Sequence, residues 1–377
     1  MYKKIIIIYS SNYTQRIKNY FDVDYLLNNG ILVEYWNLSS ITNNEHLSIA
    51  VSEGLVERSI ESISEFKCLL KKNKQESCVY ATTLGFGTYS RHIFHLLSEY
   101  KVDLLLGTDG CILNPYKEIL NKRTQLFSKS FPKLLKTFLD RRFIMKTNYY
   151  RECKYVLISC CEAKPYYKVS NNTIMVPFNS GDYNNSILHK SNTTPIIEGC
   201  YIVFIDQYIP FHNDVQTLSL SCRGEKQYYR YVNDYLSKIE KKYDCPVVIA
   251  AHPSAQKYHE HNYFNGRKIY FSNTASLIEN CKGAITHDST AISFAVLFEK
   301  PIILIPYVDM SKETLAYCEG FKRCLNIPME SFGKETYEFR SIDIKAYQKY
   351  KYDYLTHPKV AGRCNGEIML DILNGVK

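Results

Sequence analysis

A doubly wound α/β architecture in two halves is the fold class this sequence predicts, and three observations carry the prediction. Short β-branched runs alternate with stretches of helical apolar spacing through the first 110 residues, and the same alternation resumes at Tyr201. Between them, residues 170–197 are rich in Asn, Ser and Thr and are punctuated by Pro177, Gly181 and Pro195. Strand–helix alternation predicts a parallel sheet covered on both faces, and a polar stretch broken by Pro and Gly predicts a connection. At 377 residues the chain also exceeds one ordinary hydrophobic core, which makes two domains the expectation. The implied division is 1–185, then 198–335, then a helical tail at 336–377 that packs back on the first domain.

Taken in order, Ile5–Tyr9 is a buried strand. Residues 13–27 carry Ile17, Tyr20, Phe21 and Leu27 at helical spacing and stop at Asn28-Asn29-Gly30, a helix C-terminal signal. Ile31–Trp36 is the next strand, and Ile60, Ile63, Phe66 and Leu70 mark a second helix. Cys78–Thr82 and Val102–Leu106 are strands with a helix between them at Tyr89–Glu99. Ser130-Phe131-Pro132 reads as an N-cap with proline in the first turn of a helix. In the second half, Tyr201–Ile205, Val247–Ala250, Lys268–Phe271, Gly283–Thr286 and Pro301–Ile305 are strands. Glu225–Lys242, Ala275–Asn280 and Ser289–Phe298 are the helices between them, and Ile342–Tyr354 is a Tyr- and Lys-rich helix in the tail.

Composition narrows the function. No stretch approaches the ~20 apolar residues of a membrane helix, and the N-terminal run Ile5-Ile6-Ile7-Ile8 is too short for a signal peptide and lacks a cleavage site. Thirteen cysteines, odd in number and without paired spacing, predict reduced thiols in the cytoplasm and argue against zinc. The net charge is +9. It is concentrated between Lys117 and Lys146, where nine Lys and Arg stand against Glu118 and Asp140. The helix at 130–146 places lysines beside an apolar stripe, which suits an anionic membrane or an acidic glycan; a solvated face on a packed helix has the same pattern. Nucleic acid is a poor fit, because no recognition motif accompanies the basic residues.

Open α/β sheets bind ligands at the carboxyl ends of their strands, and four places qualify. His252-Pro253 follows a buried strand; the ring can donate to a phosphate or act as an acid toward one, or simply cap the loop. His287-Asp288-Ser289-Thr290 runs from a strand into a helix and offers hydroxyls and free N–H groups to an anion, or an N-cap alone. Asp109, between Thr108 and Gly110, can take a proton from a hydroxyl, or form an Asp-Gly turn. Gly85 and Gly87 make a short glycine loop before a helix, without the third glycine of a dinucleotide fingerprint. Asp206 and Gln207 open onto the same edge as His252, and Asp206 can bind a ribose or sugar hydroxyl or serve a turn.

The segments Phe204-Ile205-Asp206-Gln207-Tyr208, His252-Pro253, His287-Asp288-Ser289-Thr290-Ala291 and Lys300-Pro301 together resemble the donor half of bacterial glycosyltransferases of GT-B architecture. Within these, the likeness is to sialyltransferases and to capsule and lipopolysaccharide transferases of CMP-activated sugars such as Kdo and other nonulosonates. The resemblance implies two Rossmann-like domains facing a central cleft, the first binding acceptor and the second the nucleotide sugar. It implies that His252 meets the donor phosphate, that Ser289 and Thr290 hold it, and that Asp109, with Gly110, deprotonates the acceptor. Thr108 stands where that family's motif has its first acidic residue. The reaction implied is inverting and metal-independent, without a cofactor beyond a CMP-linked co-substrate. The acceptor would be a bacterial surface polysaccharide or lipo-oligosaccharide, met at the inner face of the cytoplasmic membrane. Two other readings keep the fold. A UDP-sugar transferase or epimerase would use a late carboxylate, Glu299 or Asp309, on the ribose. A non-catalytic scaffold of a capsule assembly complex would bind the nucleotide sugar and leave Asp109 idle.

Overall fold

The protein is described from a computed structural model, which covers residues 1–42, 50–85, 90–108, 113, 153–163, 171–190, 195–211, 224–307 and 310–376. The described residues fall into two compact units. One is drawn from Met1–Cys111, Leu120–Ile187 and Tyr352–Lys377, and the other from Ile112–Ile119 and Leu188–Lys351. The stretch 336–377, read from the sequence as one tail, therefore divides at Tyr352.

The first unit holds a seven-stranded sheet, all of whose pairings are parallel. Its strands are β1 (Lys4–Tyr9), β2 (Leu32–Asn37), β3 (Val56–Ser59), β4 (Cys78–Thr82), β5 (Leu104–Gly107), β6 (Tyr155–Ile158) and β7 (Ile174–Pro177), in the order β3-β2-β1-β4-β5-β6-β7. β1 is buried on both faces: Ile5 and Ile7 join the core cluster on one side, Ile6 and Ile8 the cluster on the other. Such a strand reads as a continuous apolar run, not an alternating one. The last helix, Asn365–Asn374, docks on the helices Gln15–Phe21 and Val23–Asn28. The Gly366 N–H donates to Asp22 Oδ2 at 3.2 Å, and a Cβ there would lie 2.6–2.7 Å from Tyr25 ring and Cβ carbons, so only glycine fits.

The second unit has a five-stranded parallel sheet of β8 (Ile202–Ile205), β9 (Val247–Ala250), β10 (Ile269–Tyr270), β11 (Ala284–Thr286) and β12 (Ile302–Leu304), ordered β10-β9-β8-β11-β12. The chain moves outward from β8 to β10, then returns to the other side of β8. The gap between β8 and β11 is therefore the point where strand order reverses, the place where such sheets bind ligands. The helix Glu225–Tyr243 lays Val232, Leu236 and Ile239 against this sheet.

Several boundaries differ from the sequence reading. The expected helix over 13–27 is two helices, because Asp22 adopts a left-handed φ of 51° and ends the first. The stretch 170–197 is not a bare connection: it contains edge strand β7 and the helix Gly181–Lys190. Its Asn and Ser serve as anchors. Asn184 Nδ2 donates to Asn19 O at 2.5 Å, and Asn179 Nδ2 to Arg363 O at 2.9 Å. The helix placed at Ser289–Phe298 runs only over Ile292–Leu297. The basic helix at 130–146 lies outside the described residues.

Candidate functional site at the carboxyl edge of the second sheet

Strand register brings the sequence-selected residues together. Ile205 pairs with Ala250 on one side and Thr286 on the other. Carried two residues further, that register aligns Gln207, His252 and Asp288 in one row across β9, β8 and β11. Gln207 and Asp288 join the two sides of the switch point reciprocally. Gln207 Nε2 donates to Asp288 Oδ1 at 2.9 Å, and the Asp288 N–H donates to Gln207 Oε1 at 3.0 Å. An amide side chain supplies both a donor and an acceptor, so this clamp closes with one residue where two separate side chains would otherwise be needed.

Beside the clamp, Ser289-Thr290-Ala291 forms a turn before the helix Ile292–Leu297. Its geometry corrects the expectation of an open helix start. The Ala291 N–H is taken by Ser289 Oγ (3.2 Å), and those of Ile292, Ser293 and Phe294 by the carbonyls of Ser289, Thr290 and Ala291 (3.2, 3.1 and 3.1 Å). What remains is a smaller set. The backbone N–H groups of Ser289 and Thr290 and the Thr290 hydroxyl have no partner among the described residues, and Thr290 is exposed.

His252 is half-buried at the end of β9, followed by exposed Pro253 and Ser254. The Ser254 N–H donates to His252 Nδ1 at 3.2 Å, and the Ala255 N–H to the His252 carbonyl at 2.9 Å. An Nδ1 that accepts a hydrogen bond leaves the neutral ring's proton on Nε2. His252 is thus set as an Nε2–H donor.

Asp206 lies beneath this edge, 2% exposed. Its Oδ2 accepts the Tyr258 hydroxyl at 2.9 Å and the Tyr208 N–H at 3.0 Å, while Oδ1 makes no hydrogen bond of good geometry. Burial pushes the carboxyl up to about 7, against the pull of Tyr258 and the nearby N–H groups of Tyr208, His252 and Gln207. A carboxyl so enclosed does not reach a ribose, as the sequence reading allowed; it holds the strand ends. Tyr208, which it fixes, sits at a left-handed φ of 56°, an uncommon backbone for a tyrosine.

His287 is also removed from ligand contact. Its ring is fully buried, with Nδ1 2.5 Å from the Ile305 carbonyl and Nε2 2.9 Å from the Tyr228 hydroxyl. Nδ1 therefore donates and Nε2 accepts. Burial lowers the ring to about 4, so it is neutral at physiological pH and supports β11 against β12 instead of binding phosphate. Glu299 fails for a different reason: it follows the helix that returns from the carboxyl edge, and the next residues, Lys300-Pro301, lead into β12 at the opposite edge of the sheet. Asp309 lies outside the described residues.

In the first unit the corresponding switch point lies between β1 and β4. There the Tyr9 and Thr83 hydroxyls are hydrogen-bonded, and the exposed Gly85 gives its carbonyl to Ser90 Oγ at 2.7 Å. Gly87, Asp109 and Gly110 lie outside the described residues. The chain leading to Asp109 is firmly held: Thr108 is buried, its hydroxyl donates to Leu157 O at 3.0 Å, and its carbonyl accepts Tyr20 OH at 3.1 Å. The residue that departs from the acidic motif is thus an anchor between β5 and β6.

Three residues escaped the sequence reading. Asp288 was visible only as a cap, and Tyr228 and Tyr258 were given no role. The spacing of 81 residues between Gln207 and Asp288 becomes informative only once β11 is known to lie beside β8.

No protein-family model matches this chain, and no curated protein matches it. Solved structures do. A variant of the wall teichoic acid polymerase TagF superposes with a TM-score of 0.51 at 12% identity, covering 99% of this chain and 89% of that one. A TagF structure soaked with CDPG gives 0.50 at 13% identity, over 99% and 88%. The glycosyltransferase SnogD from Streptomyces nogalater gives 0.48 at 10%, covering 100% of both chains. At such identities the shared property is the fold: the chain has the α/β fold of GT-B glycosyltransferases, with two Rossmann-like units.

Proposed function

We propose that this protein is a nucleotide-sugar-dependent glycosyltransferase whose donor phosphate binds at the carboxyl edge of the second sheet. One observation carries the reading. At the switch point of that sheet, the Ser289 and Thr290 N–H groups and the Thr290 hydroxyl stand without partners among the described residues, next to the Gln207–Asp288 clamp, whose row also holds His252. Three uncharged donors and an imidazole N–H suit a phosphate that gains charge as the sugar departs. His252 would neutralise the leaving phosphate, and Gln207 would hold the two loops at the spacing the anion needs. Asp109 is proposed as the base that takes the acceptor hydroxyl's proton, with no metal ion required.

The donor we propose is a CMP-linked acidic sugar, nonulosonate or Kdo, and the acceptor a bacterial surface glycan approached at the inner membrane face. The TagF structure of the same fold was soaked with CDPG, so that compound belongs among the donors to compare. Thermal unfolding against CMP, CDP, UDP, GDP and CDPG tests the reading directly. A ligand at a hundred times its Kd adds about 2.7 kcal/mol to stability. Stabilisation by CMP, lost in His252→Ala and reduced in Thr290→Ala, supports it. Stabilisation by UDP or GDP alone removes the CMP assignment and keeps the site. Turnover that persists in EDTA and vanishes in Asp109→Ala, with donor binding intact, supports the remaining roles; no response to any nucleotide would defeat the proposal.

A further inference from the structure

The same register that builds the carboxyl edge acts at the amino edge of the second sheet. Ile202 pairs with Val247, and Val203 with Ala284. Carried back two and three residues respectively, these pairings put Cys245, Cys200 and Cys281 side by side where the chain enters β9, β8 and β11. Cysteines that look scattered in the sequence thus form a row in space. The contact within it is close: Cys200 Sγ and Cys245 Sγ are 2.7 Å apart, against the ~2.05 Å of a disulfide bond. The two thiols differ in access. Cys200 is exposed and Cys245 is buried. Burial, with Cys200 as a hydrogen-bond neighbour, pushes the Cys245 thiol up to about 12, so it is a poor first nucleophile.

We propose that Cys200 and Cys245 are a redox-responsive thiol pair that closes to a disulfide by exchange with a low-molecular-weight disulfide such as oxidised glutathione. The order follows from access. The Cys200 thiolate attacks one sulfur of oxidised glutathione, an S–S bond forms between protein and glutathione, and one glutathione leaves as thiolate. Cys245 then loses its proton and attacks the Cys200 sulfur, the mixed bond breaks, and the second glutathione leaves. Two protein thiols and one oxidised glutathione become one protein disulfide and two reduced glutathiones. The product ties together the strands that carry Gln207 and His252 at their other ends. It closes a span of 45 residues, and a loop of this length raises Tm by on the order of 10 °C.

The full-length protein is incubated with oxidised glutathione, its free thiols are alkylated, and it is mapped by proteolysis and mass spectrometry. The expected result is one peptide pair linking Cys200 to Cys245, with no glutathione left on Cys200, reversed by dithiothreitol. In Cys245→Ser, glutathione remains on Cys200, because nothing resolves the mixed disulfide. In Cys200→Ser, a change at an exposed position, Cys245 stays free of glutathione. The proposal is overturned if wild-type Cys200 keeps its glutathione, if it stays unmodified, or if Cys245 takes up glutathione when Cys200 is absent.

Discussion

Two buried groups of the second unit oppose each other in pH, and removing one exposes the other. Asp206 moves from an ordinary value of 3.8 to about 7 on folding. Below the unfolded value both states carry the proton. As pH rises from about 4 to 7 the unfolded chain ionises and the folded one does not, so stability falls. Three units at ~1.36 kcal/mol each make this about 4 kcal/mol. His287 moves from 6.5 to about 4, so its contribution is present above pH 6.5 and is lost as pH falls toward 4, by about 3 kcal/mol. In the wild-type protein the two slopes largely cancel. Asp206→Asn keeps the acceptor for Tyr258 and Tyr208 but cannot ionise. Urea unfolding of wild type and variant, followed through the transition of the second unit at unit steps from about pH 4 to 8, gives the difference directly. The variant is expected to gain about 4 kcal/mol on wild type between pH 4 and 7, on top of any constant offset. A difference that stays flat over that range would refute the argument. The reciprocal variant, His287→Gln, preserves a donor for Ile305 and an acceptor for Tyr228; its stability should fall more steeply than wild type as pH rises.

Gln207→Ala removes both hydrogen bonds of the clamp, one of them to a carboxylate; a loss of about 1–3 kcal/mol in stability is expected by urea unfolding, and a nucleotide Kd raised about tenfold by calorimetry. Thr290→Ala removes a hydroxyl with no partner among the described residues, so Tm should hold while Kd rises about fivefold; Ser289→Ala should lower both, because its Oγ also holds the Ala291 N–H. Gly366→Ala drives a methyl into the Tyr25 ring and should cost about 2 kcal/mol or more in the first unit, seen as easier proteolysis of the C-terminal helix.

Strands buried on both faces were legible because nothing but continuous apolar sequence fits between two helical layers: β1, β4, β8 and β9 fall within a residue or two of their expected bounds. Three of the missed elements lack that signal. β3 is exposed along its length and β7 is exposed or half-buried, so their side chains do not report a core. The helix Gly181–Lys190 contains Asn184, which bonds to the Asn19 backbone, and Ser186, which bonds back to the Tyr183 carbonyl of its own helix, and composition alone reads such residues as loop. Candidate site positions were legible as strand ends, but roles were not. Asp206 and His287 look like ligands because both are polar and follow strands; burial, which distinguishes a support from a contact, is a property of the packed sheet. Asp288 was hidden for the converse reason, its partner being 81 residues away.

The register of β9, β8 and β11 explains how one sheet carries both proposed sites. A single pair of offsets aligns Cys245, Cys200 and Cys281 at one end and His252, Gln207 and Asp288 at the other. Parallel strands cannot slip by one residue here without sending every side chain to the opposite face, and Ile202, Phe204 and Ile285 are fully buried in one shared core cluster. Apolar packing therefore fixes both rows at once, though neither row contributes much to it. The rows lie seven residues apart along each strand, ~20 Å at the rise of an extended chain. Closing the thiol pair therefore adds no atom near the proposed phosphate site. It can act on the site only by stiffening β8 against β9, and that route leads to His252 and Gln207, and from Gln207 through its clamp to Asp288, which precedes the Ser289–Thr290 turn.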